Sequence, residues 1–184
     1  MRRMCVAAVA AEPPKEAVDA FQQGVAAYRN GDLDRAINSY TEAIRLNPQY
    51  FQAYNDRGSV FFEKNDLEKS IADFTQAIGL NPKFAWPYHN RANVYLTKGD
   101  WEKAIEGFDQ AIRIDPKYTL AYNSRGWAYY QKGEATKAIA DFSEAIRLDP
   151  YSAVAYNNRG LAFKEKGDLE KAIADWTKTI QLDP

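Results

Sequence analysis

Four short strings carry the side chains best suited to chemistry: YNDRG at 54–58, YHNRA at 88–92, YNSRG at 122–126 and YNNRG at 156–160. Each presents an amide or imidazole (Asn55, His89, Asn123, Asn157) and, two residues later, a guanidinium (Arg57, Arg91, Arg125, Arg159). An asparagine both donates and accepts, so it can pair with a polypeptide main chain whatever the sequence. A guanidinium matches a carboxylate through a bidentate fork. The chain supplies such carboxylates as Asp73, Asp141 and Asp175, each just before the aromatic of a following helix. The first candidate unit has neither charge, with Gln23 and Ser39 instead, and the third has Arg91 but Gly107. The pattern points to two roles, capture of another chain and ion pairing between helices.

Catalytic chemistry finds little support. His89 is the single histidine and Cys5 the single cysteine. Spacing for a zinc site is absent, and no Gly-rich phosphate loop occurs, each glycine being explained by a turn or close packing. Glu102 and Glu106 read as a solvated helix face. No enzyme activity and no cofactor are expected. The formal net charge of −1 gives no basic field for phosphate backbones, so nucleic acid is not expected as a partner. The longest apolar run, Met4 to Ala11, is too short to span a bilayer.

These strings must be held on regular elements, and the prolines show the rule. Pro48, Pro82, Pro116, Pro150 and Pro184 stand 34 residues apart. A fixed period of this length marks stacked repeats, with units at 17–50, 51–84, 85–118, 119–152 and 153–184. Each unit reads as two helices. In the third, Tyr88, Arg91, Ala92 and Tyr95 share one face of a first helix. Gly99 ends it, Asp100 caps the next, and Ala104, Ile105, Phe108, Ala111 and Ile112 form the apolar stripe. Asp115-Pro116 then closes the unit. Gly31-Asp32 and Gly167-Asp168 repeat the punctuation. Asn65-Asp66 uses another residue that tolerates left-handed backbone, and Gly133-Glu134 keeps the turn with a weaker cap. Small residues (Gly24, Gly58, Ala92, Gly126, Gly160) let helices approach, and Tyr40, Phe74, Phe108, Phe142 and Trp176 fill the space beside them. No unit can bury its apolar face alone, so the units must stack.

The period, the recurring small residue, the alanine and aromatic positions and the terminal proline resemble the tetratricopeptide repeat family over residues 17–184. The resemblance implies an all-α, right-handed superhelical solenoid of five antiparallel helix pairs. First helices would line a concave face that binds a peptide or a segment of a partner protein. Thr179 and Ser70 stand where the family has alanine, which predicts weaker local packing. Some members hold a C-terminal carboxylate with basic residues. The matching positions here are Phe21, Val25, Asp56, Trp86 and Asn90, which lack that clamp.

On this frame Asn55, His89, Asn123 and Asn157 are expected on the concave face, with Asn90 and Asn158 adjacent. Trp86, Trp127, Tyr130 and Phe62 add aromatic surface of the kind common at interfaces. The competing reading is that the amides cap local backbone and the aromatics pack between repeats. Arg57–Asp73, Arg125–Asp141 and Arg159–Asp175 are expected as structural bridges. A second functional class is self-assembly. The last helix pair is expected to expose Ile173, Trp176 and Ile180, an edge that could form a homo-oligomer or adjoin more of a longer protein. Residues 1–16 fall outside the period. Arg2-Arg3, a short apolar stretch and Val9-Ala10-Ala11 resemble a truncated export signal, which leaves cytoplasmic and exported locations both open.

Overall fold

The computed structural model describes residues 13–183, which form helices α1 (Lys15–Arg29), α2 (Leu33–Leu46), α3 (Phe51–Glu63), α4 (Leu67–Leu80), α5 (Ala85–Thr97), α6 (Trp101–Ile114), α7 (Thr119–Gln131), α8 (Ala135–Leu148), α9 (Ala153–Glu165) and α10 (Leu169–Leu182). No strand occurs among the described residues. The first helix begins two residues ahead of the expected repeat boundary at Ala17. The suspected export signal lies outside the described residues, apart from its last few positions.

Local punctuation works as the residues dictate. Asp32, Asp66, Asp100 and Asp168 each accept a hydrogen bond from the backbone N–H three residues on. Glu134 makes no such bond, and its carboxylate instead meets Lys137 at 2.6 Å. Between the helices of each pair the chain turns through a left-handed residue. This is a glycine in four pairs, such as Gly31 at φ 74°, and Asn65 at φ 60° in the remaining one.

Helices pack as antiparallel pairs, and each even-numbered helix also packs on the odd-numbered helix that follows it. In addition α3 touches α5, α5 touches α7 and α7 touches α9, whereas successive even-numbered helices are spread apart. The odd-numbered helices therefore crowd on the inside of the curve and line its concave face. Between the layers, alanines such as Ala36, Ala77, Ala111 and Ala145 are wholly buried beside Tyr40, Phe74, Phe108 and Phe142.

The close approach inside each pair needs one glycine. A Cβ on Gly126 would lie 2.8 Å from the Phe142 ring and 3.2 Å from the Asp141 Cβ. In the third pair the roles exchange: Ala92 takes the first position, and a Cβ on Gly107 would lie 2.8 Å from the Ala92 Cβ. Glycine at one partner is exchanged for glycine at the other, and the aspartate is lost with the exchange.

The two departures expected to weaken packing do so less than their hydroxyls suggest. Ser70 is fully buried, but its Oγ donates to the Gly58 carbonyl at 2.8 Å. Thr179 Oγ1 donates to the Asp175 carbonyl at 3.1 Å. A buried hydroxyl costs little once it is hydrogen-bonded.

Candidate binding groove and arginine ladder

Three arginines hold aspartates across the helix pair. Arg57 donates from Nε and Nη2 to the Asp73 carboxylate, both at 2.8 Å. Arg125 grips Asp141 at 2.8 and 2.6 Å, and Arg159 grips Asp175 at 2.8 Å twice. The remaining Nη1 reaches back to the previous pair: Arg57 to Thr41, Arg125 to Asp109 at 2.6 Å, and Arg159 to Ser143. Each guanidinium thus ties three helices together, and Tyr54, Tyr122 and Tyr156 lie against the guanidinium faces. Arg91 keeps only the backward bond, to Thr75 at 3.0 Å.

A second ladder runs along the concave face. Asn90 Nδ2 donates to Asn55 Oδ1 at 3.1 Å, and Asn158 Nδ2 donates to Asn123 Oδ1 at 3.1 Å. His89 Nε2 lies 3.2 Å from Ser124 Oγ at the equivalent rung. Every rung joins residues 35 apart in sequence, one repeat plus one position. Asn55 is 5% exposed and His89 7%. They therefore lie beneath the concave surface rather than on it, because the rung from the next repeat covers them. His89 sits between the rings of Phe108 and Tyr118, at 5.4 and 5.1 Å. Burial pushes its imidazole down to about 4, partly opposed by the hydrogen bond to Asn90. Asn157 is half-buried.

Above the ladder lies a groove of about 470 Å³ formed by α1, α3, α5 and the start of α7. Asn55, Asp56, Trp86, Asn90, Tyr118 and Leu120 help to line it. The Trp86 side chain is 57% exposed and Leu120 is likewise open. Asp56 occupies the rung position that holds Asn90, Ser124 and Asn158 in the later repeats, but its counterpart one repeat earlier is Phe21, which offers no hydrogen bond. Among the described residues its carboxylate receives only the neighbouring Asn55 amide, at 3.0 Å. Burial raises the Asp56 carboxyl above the usual carboxylate range, and the Asn55 bond opposes this. Arg29 also lines the groove, without forming an ion pair with Asp56. Asp56 was legible in the sequence as an acid in a row of amides and serine. Its significance depended on knowing that Phe21 stands opposite.

The other sequence candidates are dispersed. Phe62 and Asn90 border a smaller hollow of about 120 Å³. Trp127 and Tyr130 stack on each other at 5.3 Å and pack against the buried Ala138, Phe142 and Ala162. Ile173 and Ile180 are 61% and 67% exposed. Trp176, grouped with them from the sequence, is half-buried instead, because the absent side chain of Gly160 lets its indole lie against that helix. Among the described residues no group of three or more His, Cys, Asp or Glu is arranged to hold a metal ion. No described helix is long and apolar enough to cross a membrane.

Ten stacked antiparallel helices with a laterally bonded concave face define an all-α repeat solenoid, the architecture of a protein-interaction scaffold. A family model described as tetratricopeptide repeat matches residues 7–83 and 89–153, and a second so described matches 153–184. The chain belongs to the tetratricopeptide repeat family. No curated protein matches it. Among solved structures it is similar to MamA (residue 41 to the end) from Desulfovibrio magneticus, with TM-score 0.83, 19% identity and coverage of 93% of this chain and 97% of that one. It is also similar to YrrB, described as a TPR protein with an unusual peptide-binding site, at TM-score 0.73 and 21% identity over 91% and 87% of the two chains. A thermophilic TPR protein of Thermus thermophilus matches at TM-score 0.74 and 21% identity over 91% and 92%. At these identities the likeness establishes the fold. Proteins of this family are generally non-catalytic scaffolds.

Proposed function

We propose that the groove of α1, α3 and α5 binds an extended segment of a partner protein that places a basic side chain at Asp56. The observation that carries this reading is a half-buried carboxylate without an ion-pair partner among the described residues, set in a groove with the exposed Trp86 and Leu120. A carboxylate so placed is costly until a cation reaches it, and an indole face beside it attracts the same cation. The buried amide ladder serves as a rigid floor, which lowers the entropic cost of binding. Selection of peptides from a random library tests the reading. Sequences bearing Lys or Arg flanked by apolar residues are expected to be enriched on the parent protein. Their affinity is expected to fall by about tenfold or more with Asp56→Asn and with Trp86→Ala, the loss of one charge-assisted contact or one aromatic anchor. Selected peptides that bind both variants as tightly as the parent would sink it.

The exposure of Leu169, Ile173 and Ile180 on α10 supports a second reading, self-association through that helix. Sedimentation is expected to show a mass that rises with concentration, reverting to monomer with Ile173→Lys. A concentration-independent monomer for the parent overturns it.

A further inference from the structure

The third helix pair leaves two arginines without the carboxylate that comparable arginines hold, and the two meet on one surface. In the other three pairs that carry the arginine, Arg57, Arg125 and Arg159 each hold an aspartate bidentately, but Arg91 faces Gly107 and keeps only the hydroxyl of Thr75. The second difference lies near the end of the second helix. Arg45 of α2 grips Glu42 at 2.7 Å and Arg147 of α8 grips Glu144 at 2.6 Å, each three residues earlier. At the same register of α6, Arg113 is preceded by Gln110; α4 also has a glutamine there, Gln76, but Gly79 in place of the arginine. Both arginines therefore lack the carboxylate that their counterparts hold, and both line one surface pocket of about 480 Å³. Lys103 and Gln110 border it as well.

The pocket's two acids leave these arginines unsatisfied. Asp109 is taken by Arg125 at 2.6 Å, and Glu106 forms no ion pair with either arginine among the described residues. The loss of the aspartate has a packing cause, the close approach of Gly107 to Ala92. That cause accounts for the glycine and for nothing at Gln110, which stands apart from the Ala92 contact. Two separate positions, Gly107 and Gln110, thus offer no carboxylate in one place while the cations Arg91 and Arg113 remain.

We propose that this pocket binds the carboxylate of an external ligand, Arg91 supplying the planar fork and Arg113 the second cation. The ligand is a small mono- or dicarboxylate or an acidic side chain of a bound protein, since both present the group that the arginines have lost. The pocket shares no residue with the concave groove and stands independently of the function proposed for it.

The experiment follows the arginine Nε–H resonances of the ¹⁵N-labelled chain during titration with sodium glutarate, acetyl-Glu-Glu-amide and inorganic phosphate. Sodium chloride at matched ionic strength is the reference. Saturable shifts confined to Arg91 and Arg113 are expected with glutarate or the dipeptide, and the tighter of the two identifies the source as a small acid or an acidic segment. Arg91→Gln is expected to weaken binding about tenfold, as for loss of one charge-assisted pair. The double variant Ala92→Gly, Gly107→Asp supplies the carboxylate internally and is expected to abolish the Arg91 response. Gln110→Glu occupies Arg113 without touching the helix packing and is expected to weaken binding too. Shifts no larger than those with chloride overturn the proposal, as does glutarate binding undiminished in all three variants. Binding of phosphate alone overturns the assignment to carboxylates.

Discussion

Asp73→Ala is expected to destabilise the protein by about 3 kcal/mol, the loss seen when one member of a buried ion pair is removed. The Arg57 and Asp73 side chains are 17% and 7% exposed, so the guanidinium left behind is poorly solvated and keeps only the Thr41 hydroxyl. Asp141→Ala is expected to cost roughly half as much, because Arg125 retains a second carboxylate, Asp109, on its free Nη1. Asp175→Ala resembles the first case, since Arg159 would be left with Ser143. Replacing Arg57 and Asp73 together by leucine is expected to cost no more than about 1 kcal/mol, since no buried charge is then stranded. Urea unfolding of the four variants checks the order. Because stacked repeats can unfold piecemeal, amide exchange in α3 and α4 should accompany it. Equal losses for Asp73→Ala and Asp141→Ala would show that Asp109 gives no compensation.

Acidification from pH 6.5 to pH 4 is expected to remove about 3 kcal/mol through His89 alone. Folded, its imidazole titrates at about 4; unfolded, it titrates near the ordinary value of 6.5. Between those values the unfolded chain takes up a proton that the folded chain refuses, so stability falls as pH falls. Above pH 6.5 both states are neutral and the contribution is level; below pH 4 both are charged and the loss is complete. His89→Asn restores the residue found at this position in the second, fourth and fifth repeats and carries no such dependence. The difference in unfolding free energy between parent and variant, followed from pH 7.5 to pH 4, isolates the effect from the carboxylates common to both. A constant difference across that range would mean that water reaches the imidazole between Phe108 and Tyr118.

Much of this molecule could be read from residue types because its determinants are short-range. A glycine or asparagine followed by an acidic residue ends one helix and starts the next within three residues, and the structure places left-handed backbone at Gly31, Asn65, Gly99, Gly133 and Gly167. The Arg–Asp bridges were legible because their partners co-occur sixteen residues apart: Arg57, Arg125 and Arg159 have an aspartate there, and Arg91, without one, has none in the structure. The concave amides were harder. Their register on the first helices was evident, but Asn55 and His89 proved to be floor rather than surface, because a side chain from the next repeat lies over each.

The sequence by itself determined the period, the helix pairs, their caps and the pairing within each repeat, since all of these act over one or two helical turns or across one hairpin. Tertiary structure decided what happens between repeats. It set Asp56 against Phe21's empty rung, laid Trp176 over Gly160, and brought the stripped Arg91 and Arg113 to a single pocket. Those outcomes depend on how far each pair is translated and turned against the next. That geometry is the sum of many small contacts such as Gly107 on Ala92, and no single residue specifies it.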